Sequence, residues 1–160
     1  MAEIYPNSDT FIEGAKDALY TELNALKTSM ATGYDPTFSY LYQRHTTAKL
    51  QLNAVSIQLE AVEYQPEAIS SAGTTGMWLM MFTLRCHTDY AGPGANIDTE
   101  KNGRLLNSII NKLFANLSLG NDYWIHSCGS VATGESWDDS ATTGGSVEII
   151  IRKVVTHTQE

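Results

Sequence analysis

Seven apolar residues, Leu105, Leu106, Ile109, Ile110, Leu113, Phe114 and Leu117, recur at spacings of three and four within one short segment. That period matches the turn of an α-helix and draws a wide apolar stripe down one side. A helix so one-sided gains its stability by lying on another apolar surface, so the rest of the chain must supply one. The segment opens near Asp98, whose carboxylate suits a helix cap, with Glu100 favourably placed in the first turn. Gly120 offers the stop.

A second stripe precedes it. Ile12, Ala15, Leu19, Leu23, Leu26 and Met30 share the same spacing and predict a helix at about residues 10–31. Thr10 and Glu13 have the form of a capping box, and Gly33 is a natural end. After a turn at Asp35-Pro36, the segment Phe38, Ser39, Tyr40, Leu41, Tyr42 has no decisive period; a short strand and a loop laid over a neighbour both fit.

The partner surface is a sheet. From Leu50 the apolar phase passes from Leu50, Leu52 and Ala54 to Val55, Ile57 and Leu59, the one-residue slip of a bulge or bend. Over residues 77–87, Trp78, Met80, Phe82, Leu84 and Cys86 share one face, and Thr83, Arg85 and His87 the other. Met77, Leu79 and Met81 make that other face apolar at its start, so cover on both sides is expected there. Residues 123–128 and 147–155 have strand composition too. The expected fold is α+β in the order α-β-β-α-β-β, a mainly antiparallel or mixed sheet with two amphipathic helices packed on one face. It is read as one domain over residues 1–160, with long loops at about 34–47, 65–76 and 132–145.

Function classes fall away on charge and motif. Ten Lys and Arg stand against eighteen Asp and Glu, a formal net charge of -8. Gripping phosphates needs a basic face, so stable nucleic-acid binding is not expected; an acidic wall lets DNA pass without sticking. The most apolar run, residues 77–82, is too short to span a bilayer, and the N-terminal residues do not form a signal peptide. Two cysteines, Cys86 and Cys128, are too few for a disulfide framework and are expected reduced, a bridge requiring neighbouring strands. Cys86 and His87 point to opposite faces of a strand, and no zinc spacing such as C-x-x-C occurs. Neither a nucleophile elbow nor a phosphate loop is present. No catalytic residue, cofactor or metal is expected.

What remains is surface. Glu135, Asp138 and Asp139 cluster in a Gly/Ser/Thr-rich stretch and read as solvated charge. Trp137 sits among them without apolar sequence neighbours, so it either folds back on its own domain or docks on another subunit. Tyr40 and Tyr42 have the same two readings, packing within the chain or contact with a neighbour. These six residues are the candidate interface.

The layout resembles the tail terminator, or tail completion, proteins of long-tailed bacteriophages. The resemblance rests on a first helix carrying Ala15, Ala18, Leu19 and Leu26, the strand near residues 77–86, and the helix at 98–117. It extends to the closing run Gly145-Ser146-Val147-Glu148-Ile149-Ile150-Ile151-Arg152, preceded by a long loop at 134–145. The segment at 34–42 has no counterpart in that pattern. The resemblance implies a virion protein, assembled in the bacterial host cytoplasm, that forms a homohexameric ring on the tail tube. Its implied partners are other copies of itself, the tail tube protein and a head-side connector or stopper, with DNA passing through the hole and no membrane involved. Another head–tail connector or tail protein is an alternative, as is a small α+β ligand-binding domain or enzyme.

Overall fold

The computed structural model describes residues 8–30, 38–45, 50–70, 73–92, 99–120 and 122–158. Helix α1 runs from Ser8–Met30, followed by β1 (Tyr40–Tyr42), β2 (Ala54–Ser70) and β3 (Gly73–Tyr90). Helix α2 (Thr99–Ala115) leads into β4 (Ser118–Gly120), β5 (Tyr123–Trp137) and β6 (Thr142–Thr158). The six strands form one sheet in the order β1-β2-β3-β6-β5-β4, and two helices accompany it, so the fold is mixed α+β. Among the described residues only β1 and β2 pair in parallel; the other neighbours are antiparallel.

The alternation in the strands is the one the sequence requires. Met80, Phe82, Leu84 and Cys86 of β3 are fully buried, beside Val55 and Ile57 of β2 and Val147, Ile149 and Ile151 of β6. Both apolar stripes join this cluster, α1 through Ala15, Leu19, Leu23 and Leu26, and α2 through Leu105, Leu106, Ile109 and Leu113. Burying each of the larger side chains contributes roughly 1.5–3 kcal/mol, which makes this cluster the main source of stability.

Several expectations are corrected. Helix α1 starts at Ser8, which puts Thr10 inside it rather than at its cap. Helix α2 ends at Ala115, so Leu117 lies outside it, exposed, and Gly120 turns the chain into β5 with φ 84° instead of stopping a helix. Polar side chains take over the backbone there: Asn116 Oδ1 accepts from Ser118 N–H, and Ser118 Oγ from Gly120 N–H. The slip seen around Leu52 to Val55 is the start of β2 at Ala54; the bulge comes later, between Leu59 and Ala61. The segment at 38–42 resolves into a three-residue strand. The predicted ends at Gly33, Asp35-Pro36 and Asp98 lie outside the described residues.

The largest correction concerns the loops. The segment at 65–76 is mostly strand, because β2 and β3 continue to a hairpin at Ser70 and Gly73. The segment at 132–145 is also mostly strand: β5 reaches Trp137, four residues turn, and β6 begins at Thr142. Its glycines read as loop residues in sequence but serve close approach. A Cβ on Gly144 would collide with the Cys86 carbonyl, and one on Gly145 would crowd Leu106 and the Ala132 carbonyl.

Candidate functional site

The chemistry-bearing side chains gather on the sheet face opposite the core, where β2 begins and β3 ends. Successive side chains on a strand alternate, so burying Val55, Ile57 and Cys86 in the core turns Ser56, Arg85 and His87 the other way. Two pieces of chain cover them. The residues after β1 bring His45 over β2, and the β5–β6 turn brings Trp137, Asp139 and Ser140 over β3.

A line of hydrogen bonds crosses the sheet beneath that cover. His45 Nδ1 lies 2.7 Å from Ser56 Oγ, which lies 2.8 Å from His87 Nε2. His87 Nδ1 lies 2.6 Å from Thr142 Oγ1, which lies 2.7 Å from Ser140 Oγ. Each hydroxyl carries one proton, and a neutral imidazole donates from one nitrogen while accepting at the other. With both imidazoles neutral and each hydroxyl giving its proton to the next group in the row, the bonds run in one sense from end to end, from His45 toward Ser140 or the reverse.

Electrostatics keep the imidazoles neutral. Burial pulls the His87 pKa down to about 4, helped by the positive charge of Arg85 and opposed by Asp139. His45 is pulled down to about 4 by burial first, then by Arg85, His87 and Lys16, again against Asp139. The Arg85 guanidinium donates to both carboxylate oxygens of Asp139, at 3.2 and 3.1 Å, and lies 5.1 Å from the centre of the Trp137 ring. The Trp137 ring meets His87 edge-on, with centroids 5.0 Å apart.

Of the six residues singled out from sequence, the structure brings two together. Trp137, 8% exposed, folds back on its own domain, and Asp139 holds Arg85 beside it. Glu135 accepts from Ser146 Oγ at 3.0 Å, and Asp138 is exposed in the turn, its carbonyl accepting from Ala141 N–H. Tyr40 is exposed on the sheet edge, while the Tyr42 hydroxyl accepts from Gln51 N–H. His45, Ser56, His87, Ser140 and Thr142 were missed as a set. They are scattered over almost a hundred positions; strand register sets Ser56, His87 and Thr142 in one row, and the segment after β1 and the β5–β6 turn bring His45 and Ser140 to its ends. Ser56 alone carried a signal, as a polar residue between Val55 and Ile57.

The row is closed at its centre and half-exposed at its His45 end. Ser56 and Thr142 are fully buried, and His87 nearly so. Cys86, on the opposite face from His87, is a core thiol whose burial pushes its pKa up to about 12. Both cysteines are free, and no group of three metal-ligating side chains occurs among the described residues. A second, open hollow lies between α1 and the β4–β5–β6 edge, about 500 Å³ in volume, lined by Asp17, Thr21, Leu119, Tyr123 and Lys153. No helix among the described residues is long and apolar enough to cross a membrane. Comparison with known protein families finds no matching model, and comparison with curated protein sequences finds no match.

Proposed function

We propose that this chain is a structural virion subunit that forms a ring capping the tail tube of a long-tailed phage. The ring ends tube polymerisation and joins the tail to a head-side connector. In this reading both helices layer on one face of the sheet, in the α-β-β-α-β-β order with two short edge strands added. Six copies surround a hole through which DNA passes, and the charge of -8 keeps the lining from gripping phosphate. The protein acts in the tail or neck of the virion and needs no cofactor.

The observation that carries this reading is the mismatch between edge strands and the strands they cover. β1 and β4 are three residues each, against seventeen in β2 and fifteen in β5, so most of both sheet edges has no strand beside it among the described residues. Long bare edges are a hazard in a monomer and a binding device in an assembly. Ser56, the serine at bonding distance from both His45 and His87, is fully buried, which supports a structural role over a hydrolytic one. Native mass spectrometry and imaging with purified tail tubes test the proposal: hexameric rings seated on tube ends are expected. A monomer at high concentration with no affinity for tubes overturns it. The hollow beside Asp17 and Lys153 is the place where the alternative, a ligand-binding domain, would show itself.

A further inference from the structure

The sheet face turned away from the core is covered by the chain's own segments around His87, and further along β3 it carries apolar side chains instead. Glu63 of β2 is opposite Leu79 of β3, and Leu79 is opposite Arg152 of β6, so these three side chains stand in one row on one face. Ala61, Met81 and Ile150 form the next row in the same way. Met80, Phe82 and Ile151 alternate with them and are fully buried in the core, which makes this the outer face. Leu79, Met81 and Ile150 are half-buried, and with Ala61 and Glu63 they line a shallow hollow of about 60 Å³ whose walls come from the sheet alone.

Both rows are asymmetric about β3, each in a way that complements itself. In the first, an acid lies on one side of Leu79 and a guanidinium on the other, about 10 Å apart at the usual strand spacing. The Arg152 guanidinium is 5.9 Å from the centre of the exposed Trp124 ring, which steadies it at the face. Among the described residues no ion pair within the chain uses either charge. In the second row the small, exposed Ala61 lies on one side of Met81 and the bulky Ile150 on the other.

We infer that two copies of this chain pair through this face, related by a twofold axis that runs along β3 between the two sheets. Such an axis exchanges the two sides of each row and keeps its height. Glu63 of each copy then meets Arg152 of the other, and Ile150 of each copy sits over Ala61 of the other. Leu79 and Met81 meet their own counterparts on the axis. Facing sheets pack about 10 Å apart, a gap that these side chains span. A twofold axis across the strands would instead set Glu63 on Glu63 and Arg152 on Arg152, which like-charge repulsion opposes. The contact ends toward Arg85, where the cover held by the Arg85–Asp139 ion pair reaches the same height in both copies and keeps the sheets apart. A different partner would need both charges and both sizes in matching places; a second copy has them already. A contact of this symmetry closes at two copies, so it is separate from any contact that builds a ring and goes beyond that reading.

The test is an exchange of charge and size on the full chain, read by native mass spectrometry near physiological salt. The wild-type protein is expected to show paired species, either dimers or two rings joined. Glu63→Lys alone and Arg152→Glu alone are each expected to weaken pairing by about tenfold or more, and both changes in one chain restore it. A one-to-one mixture of the two single variants is expected to give pairs holding one of each. Ala61→Trp, at an exposed position that leaves the monomer folded, fills the seat of Ile150 and is expected to break the pair as well. Pairs that survive both Glu63→Lys and Ala61→Trp, or wild-type hexamers that never pair, overturn the face contact and leave the ring standing. Dimers that respond to these changes but never seat on tail tubes overturn the ring reading and leave the pairing standing. If the wild type shows no pairs and Glu63→Lys loses affinity for tubes, the face belongs to the tube subunit and self-pairing is overturned. A wild-type chain that stays monomeric at high concentration overturns both.

Discussion

The two ends of the sheet handle their polar groups in opposite ways. At the end where β2 starts, the face turned away from the core is closed by the chain's own segments, and its polar side chains bond one another from His45 to Ser140. At the other end β2, β3 and β6 continue past Tyr123, where β5 begins, as an arm whose edges have no strand beside them among the described residues. The half-buried Leu79, Met81 and Ile150 line a shallow hollow with Ala61 and Glu63. The first end shows what a finished surface costs in sequence: a Trp, two His and three hydroxyls placed to meet. The second shows what a sheet end looks like without such cover among the described residues. Substitutions at the first end should therefore change the stability of the monomer, and substitutions at the second should change assembly alone.

The largest expected effect is at His87. His87→Ala leaves Ser56 and Thr142 each short of a partner in a buried site and opens a cavity beneath Trp137, for a loss of about 3–4 kcal/mol. Urea unfolding of the monomer measures it; a loss below ~1 kcal/mol would mean the row is not a unit. Trp137→Ala removes the cover but leaves the hydrogen bonds, and should cost roughly 2–3 kcal/mol by the same measurement.

Acid should sharpen the comparison next. Both histidines have native pKa values of about 4, below the ordinary 6.5. Between those values the unfolded chain binds protons that the native state refuses, so stability present above pH 6.5 is lost as pH falls toward 4 and then levels off. At about 1.4 kcal/mol per pKa unit, the buried His87 gives a loss on the order of 3 kcal/mol, and the half-exposed His45 adds less because solvent screens it. Unfolding at a series of pH values checks it, and His87→Asn should flatten the profile. A flat wild-type profile would rule out buried neutral imidazoles.

Smaller again is the ion pair. Asp139→Asn removes the charge facing Arg85 at a partly exposed site and should cost at most ~1 kcal/mol, shrinking with added salt. Smallest of all is the arm: Glu63→Gln is exposed and should leave monomer stability within ~0.5 kcal/mol of wild type. A large stability loss there would erase the contrast between the two ends.

How far this was legible follows from range. Periodicity is local, so both helices and the inward faces of β2, β3 and β6 could be read from spacing alone, because Leu, Ile and Met repeat at the period of the element they belong to. The hairpins could not. In 132–145 the residues look like loop because one face meets polar partners, and Gly144 and Gly145 are small to let backbone and α2 approach. The apolar alternation that marks a half-buried strand is absent in β5 from 129 to 136 because most of those residues are exposed, and at Gly144 and Gly145 because backbone and α2 approach too closely. Trp137 was visible as an anomaly, but its two possible destinations had the same sequence.

The sequence by itself determined which residues are apolar, at what period they recur and what charge they leave outside, and hence a mixed α+β fold with an acidic surface. Tertiary structure decided what those residues meet. Strand register alone brings Ser56, His87 and Thr142 into one row, and the length of β6 relative to β5 leaves an arm whose edges have no strand beside them among the described residues. Register and relative length are properties of pairs of strands, and no single stretch of sequence carries them.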